Sequence, residues 1–207
     1  MYIPHFNVMD DGAVRGFVES IGSAEIVTVG KDGVPLATLL PILWSTDGGT
    51  VIAHMARANA HWREIEPGSS CLAIVAGPQA YISPSWYAAK AEHGRVVPTW
   101  NYSAVHLTGT ITVHDDPDWV RRAVSDLTDH HEQPRTEPWA VTDAPEKYVS
   151  GQLKAIVGLE MAVNRVEAKA KLSQNRSEAD QAGVVAGLRA ESGDPAVADA
   201  MEELGRS

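Results

Sequence analysis

Arg57 and Asn59, in "IAHMARANAHWREI", stand where apolar strand alternation gives way to a short helix. A guanidinium that bonds bidentately, next to amides at a helix start, can seat a phosphate. The same residues also fit a solvated loop arginine with Asn59 as helix cap. A second group lies in "VVPTWNYSAVHLTGTITV", residues 96–113. Period two puts Trp100, Tyr102, Ala104 and His106 on one strand face and Asn101, Ser103 and Val105 on the other. Trp100 with Tyr102 can form a flat apolar wall with a polar edge. A barrel core, a dimer contact and a flat ligand all remain compatible with that pattern. The third group is the basic stretch "KAKLSQNR" near the C-terminal end.

Other chemistries find little support. His130 and His131 are adjacent and fall on different helix faces, and His54 and His61 straddle an element boundary. No H-x-x-x-H or C-x-x-C spacing is present, so no metal site is expected. Cys71, the single cysteine, lies in an apolar strand and reads as a small hydrophobe. The serines of "YISPSWY" lack a G-x-S-x-G elbow, and the stretch reads as a rigid turn that buries rings. The carboxylates sit on turns and helices as solvated faces, so no catalytic residue is expected.

The chain has 207 residues and a net charge of −10, from 17 basic and 27 acidic side chains. That balance opposes nucleic-acid binding, which rests on phosphate neutralisation. DNA contact is left possible but unsupported by charge, and no helix-turn-helix signature is present. No apolar run is long enough to span a bilayer, no signal peptide is expected, and the lone cysteine fits a reducing cytoplasm.

These residues need elements to hold them. "DDGAVRGFVES" reads as a short amphipathic helix. Lys31-Asp32-Gly33 joins two apolar runs as a hairpin, and "STDGGTVIAHM" repeats the device, so three successive antiparallel strands are expected. "CLAIVAG" and "QAYIS" read as two strands broken at Gly77-Pro78. A long strand over about 99–114, a helix capped by Asp116 in "DPDWVRRAVSDLTDHHE", the short helix "PEKYVSGQL" and a final strand in "AIVGLEMAVNRVEAKAKL" follow. The tail from Glu178 is expected to be helical or frayed, as a solvated acidic flank. Six or seven antiparallel strands with short helices predict a mainly β, α+β protein, a closed or half-open barrel. No G-x-G-x-x-G or phosphate-loop motif is present.

"MYIPHF", "HMARANAHW", "YISPSWY", "VPTWNYSAVHLTG" and "KAKLSQNR", in this order over residues 1 to about 190, resemble the PaiB-type FMN-binding negative transcriptional regulators. The resemblance implies an antiparallel split β-barrel of the FMN-binding type, related to pyridoxamine-phosphate-oxidase-like flavoproteins. It also implies a homodimer with the flavin at the interface. On this chain the split-barrel domain would cover 1–175, with a C-terminal helical extension over 176–207. Arg57 and Asn59 would hold the FMN phosphate, with His54, Met55 and Ala56 beside the ribityl chain or ring. Thr38, Leu39, Leu40 and Pro41 would offer backbone groups to the isoalloxazine edge. Trp100, Asn101 and Tyr102, with Lys171, Ser173, Gln174 and Asn175, would come from the partner chain. Two departures stand out: "ATLLP" replaces the family's "ATHLP", putting Leu39 where a polar side chain would be, and an insert near "KAEHGR" lengthens the approach to "VPTWNY". Related split barrels also use F420 and haem. The expected function is a cytoplasmic, flavin-responsive regulator; the alternative is an FMN- or F420-dependent oxidoreductase acting on a small molecule.

Overall fold

The computed structural model describes residues 1–45, 47–192 and 195–205. Seven strands form one antiparallel sheet: β1 (Ser23–Val29), β2 (Pro35–Pro41), β3 (Leu43–Trp44), β4 (Thr50–Ala56), β5 (Ser69–Ile82), β6 (Thr99–His114) and β7 (Ile156–Lys171). Their order is β2-β1-β5-β6-β7-β4-β3, so the sheet is open and β2 and β3 form its two edges. The expected half-open barrel strands and helices are thus present. The succession of three neighbouring strands is corrected, however: β1 pairs with β2 and β3 with β4, but β2 and β3 lie at opposite ends of the strand order. The β1–β2 turn is the Asp-Gly hairpin, with Gly33 at φ 82° and the Asp32 side chain accepting from the Val34 amide.

β5 also corrects the sequence reading, because it runs unbroken through Gly77-Pro78. Its rungs with β1 join Leu72, Ala73 and Ile74 to Val27, Ile26 and Glu25. Pro78 lies beyond that stretch, so its missing N–H interrupts none of those rungs.

The chain divides into two compact units. One comprises Arg15–Val75 and His106–Glu167. Its sheet buries Ile26, Met55, Leu107, Ile111, Val157 and Met161. Helix α1 (Asp11–Ile21) enters it, a single turn α2 (His61–Glu64) follows β4, and α3 (Ala89–His93) belongs to the other unit. Helix α4 (Pro117–Glu132) starts as its residues dictate: the Asp116 carboxylate accepts from the Asp118 amide and Pro117 occupies the first turn. Val120 of α4 packs with Val149 and Leu153 of α5 (Glu146–Leu153). Gly158 is required by a close approach, since a Cβ there would lie 2.1 Å from the Trp119 ring.

The second unit comprises Met1–Val14, Ala76–Val105 and Ala168–Ser207. Its core joins Ile82, Tyr87, Ala170 and Leu172 to Val184, Leu188, Val197, Ala198 and Met201. The last five sit on α6 (Glu178–Gly187), a π turn (Leu188–Ser192) and α7 (Ala196–Leu204). The expectation of a solvated acidic flank is therefore overturned: Asp180 is buried and accepts from the Ala89 amide at 3.0 Å, and the small apolar residues between the exposed carboxylates are buried too. "YISPSWY" forms a 3-10 turn over Pro84–Trp86, with the Ser83 hydroxyl accepting from the Ser85 amide. α6 approaches this turn so closely that a Cβ on Gly187 would fall 2.3 Å from the Trp86 ring.

Candidate functional site

Within the first unit, β2, β4 and α2 bring together Thr38, Asn59 and His61. The buried His61 ring is held at both nitrogens, Nδ1 to the Thr38 hydroxyl at 2.8 Å and Nε2 to the Thr28 hydroxyl at 2.9 Å. Asn59 donates from Nδ2 to Thr38 Oγ1 at 3.2 Å, and its Oδ1 accepts from the His61 amide at 3.0 Å. This network fixes the start of α2 from beneath. His61 enters the sequence reading only as a rejected metal ligand; its signal for this role is an imidazole two residues after the capping amide.

β2 pairs only with β1 among the described residues, so one edge of Thr38–Pro41 keeps unpaired backbone donors and acceptors. Leu39 is exposed there, whereas Leu40 is buried. On β4, Met55 is in the core, Ala56 is exposed, and His54 is half-buried with a sequestered Nδ1 that has no hydrogen-bond partner. A sheet edge with free polar groups fits the polar rim of a flat heterocycle. Flavin and the deazaflavin F420 share a rim of carbonyls and N–H that such a backbone edge can meet, and haem lacks one.

Arg57 fits the phosphate role less directly. Its Nε donates to the Lys154 carbonyl at 3.0 Å and its Nη2 to the Ile156 carbonyl at 3.1 Å. Both terminal nitrogens grip the Asp115 carboxylate, Nη1 reaching Oδ2 at 3.1 Å. The hydrogen bond to Asp115 raises the Arg57 pKa, and the same contact holds the Asp115 carboxyl below its usual range. A phosphate arriving at Arg57 meets a carboxylate already in the fork.

Burial pushes both His54 and His61 below the usual histidine range. The unfolded chain then binds more protons than the folded one around pH 6.5. This stabilisation is complete above about pH 6.5 and is lost as pH falls through the folded-state values. We expect the urea midpoint to drop between about pH 7 and 5, and His61→Gln to make that drop shallower. Equal slopes in the two proteins would remove His61 from the account. The Cys71 thiol is buried and pushed up to about 12, which leaves it inert as a nucleophile.

The second unit holds the other predicted residues. Asn101 is buried, not beside Trp100 but on the opposite strand face, donating to Ser173 Oγ at 3.0 Å. Trp100 remains 51% exposed. Lys171 donates to Thr99 Oγ1 at 2.5 Å and to the Trp100 carbonyl. Gln174 folds back on its own turn, accepting from the Leu172 amide at 2.7 Å. Ser173 adopts φ 66°, a left-handed conformation unusual for a serine and commonest where function constrains the chain. Asn101, Lys171, Ser173 and Asn175 line a cleft of about 400 Å³ together with Lys169, Arg176, Tyr87 and Asn7. Lys169 and Arg176 belong to the "KAKLSQNR" patch; period two on β7 places Lys169 and Lys171 on one face.

Comparison with known proteins bears on the family and the fold. Residues 1–165 match a family described as "Putative FMN-binding domain". "Protease synthase and sporulation protein PAI 2" of Bacillus subtilis is 34% identical over 208 residues, covering 98% of this chain and 97% of that protein. A protein of Aspergillus fumigatus is 37% identical over 140 residues, or 60% of this chain and 54% of its own length. Among solved structures, a FAD and heme binding protein from Mycobacterium smegmatis superposes with a TM-score of 0.60 at 19% identity, covering 86% of this chain and 80% of that one. A conserved hypothetical protein of Mycobacterium tuberculosis gives 0.59 at 14% identity, covering 86% and 95%. At those identities the structures share the fold alone, the open split barrel. Sequence and fold together make the chain a member of the PaiB-type family of FMN-binding domains.

Proposed function

We propose that the chain is a homodimeric flavin-binding protein that takes FMN and acts as a regulatory protein of the PaiB type. The observation that carries the flavin reading is the unpaired outer edge of β2 at Thr38–Pro41, which offers main-chain groups to a planar ring. Bound FMN supplies a flat, redox-active ring; the protein orients it through the β2 edge, with Asn59 and His61 holding that edge and the turn after β4 in register. The dimer reading rests on Trp100, a half-exposed indole on a strand whose other face is sealed. With a net charge of −10, the regulatory effect is exerted through a flavin-dependent change in protein contacts rather than through a basic DNA-reading face.

The purified chain should show flavin absorbance bands and release FMN on denaturation. Sedimentation should give a dimer, and Trp100→Ala should weaken both dimerisation and FMN binding while leaving far-ultraviolet dichroism intact. A monomeric wild type that binds flavin tightly would refute the shared site. Rapid bleaching by NADPH with turnover would replace the regulatory reading by that of a flavin-dependent oxidoreductase.

A further inference from the structure

The cleft of the second unit has a chemistry of its own. Lys169 is 8% exposed and donates to the Tyr102 hydroxyl at 2.8 Å; Lys171 uses its donors on Thr99 and the Trp100 carbonyl. The Arg176 guanidinium lies 4.7 Å over the Tyr87 ring. No carboxylate among the described residues pairs with any of these three cations. Clustered, partly buried positive charge without a counter-ion is costly, the more so in an acidic protein where carboxylates are abundant. Burial, then the charges of Lys169 and Arg176, hold the Lys171 ammonium below the usual lysine range. Tyr87 is 3% exposed, lines the same cleft, and its hydroxyl has no partner. A buried unpaired hydroxyl beside three unopposed cations marks an acceptor-rich ligand. The mouth is different: Tyr2, Phe6 and Val97 are exposed apolar side chains along the same lining.

We propose that this cleft binds a phosphomonoester carried on an apolar body, with Lys169, Lys171, Arg176 and the Tyr87 hydroxyl on the phosphate and Tyr2, Phe6 and Val97 against the organic part. Two ammoniums and a guanidinium exceed what one carboxylate needs and match a dianion. A nucleic-acid backbone phosphate carries a single charge and would have to approach a protein of net charge −10, so it suits the site less. The phosphate has two possible sources, the flavin's own or that of a separate small ester. Only the first rests on the flavin reading, and it would relieve Arg57 of the phosphate role.

Calorimetry on the full chain separates these cases, with phenyl phosphate, inorganic phosphate, FMN and riboflavin as probes. We expect phenyl phosphate to bind, inorganic phosphate to compete with it, and Arg176→Gln to weaken binding by about ten- to a hundredfold. Tyr87→Phe, which removes one oxygen and keeps the core packed, should weaken it by a smaller factor. If Arg176→Gln also weakens FMN but spares riboflavin, the phosphate is the flavin's. If it leaves both flavins unchanged while phenyl phosphate is lost, the ester is a separate ligand. The proposal is overturned if neither phosphate probe binds the wild type and the two flavins bind equally in wild type and both variants, a result that leaves the flavin reading standing. Phosphate binding without any flavin binding would instead uphold the cleft as a phosphomonoester site and remove the flavin reading.

Discussion

Leu188→Ala lowers stability by about 2–5 kcal/mol, the range for a fully buried leucine whose cavity collapses only partly. Leu188 has no solvent exposure and sits where α6 passes into the π turn, in a cluster with Ile82, Tyr87, Val184 and Met201. The matched control is Leu204→Ala at the exposed end of α7, which should change stability by no more than about 0.5 kcal/mol. Urea unfolding followed by tryptophan fluorescence reads both, because Trp86 packs against the same cluster. Equal midpoints for the two variants would mean that the C-terminal helices are the solvated flank that their acidity first indicates.

The Arg57–Asp115 pair gives a test with opposite signs. If FMN phosphate is held by Arg57, it must displace Asp115 from the fork. Arg57→Ala then weakens FMN binding by about ten- to a hundredfold, the usual effect of losing a bidentate charge-assisted contact. Asp115→Asn, which removes the competing charge, strengthens it. Riboflavin, lacking the phosphate, should respond to neither change. Should Arg57→Ala leave the FMN dissociation constant unaltered in a folded protein, Arg57 serves only to tie β4 to the Lys154 and Ile156 carbonyls.

Much of the fold was legible because its signals are local. The Asp32-Gly33 turn, the Asp116-Pro117 helix start and the alternation through Thr99–His114 each depend on residues a few positions apart. Whatever depended on distant partners was not legible. Pro78 looks like a strand breaker until the β1 rungs are seen to stop at Ile74. Period two divided Trp100 from Asn101 correctly, but it could not say which face is sealed; Ser173 and Met201, far along the chain, decide that. Arg57 announced itself as a free guanidinium because Asp115 is remote in sequence. Tyr87 drew notice as a ring in a turn, while its unpaired hydroxyl is a property of the folded cleft alone.

The second unit is assembled from three separated stretches, residues 1–14, 76–105 and 168–207. During synthesis the first stretch emerges long before its last partners exist, an interval of roughly ten to thirty seconds at ordinary elongation rates. Ile82 and Tyr87 stay uncovered for much of that time, since Val184, Leu188 and Val197 are synthesised long after them. A ribosome stalled before residue 168 therefore carries a chain with an unfinished core, and such truncated products are natural clients of holding chaperones and of proteases.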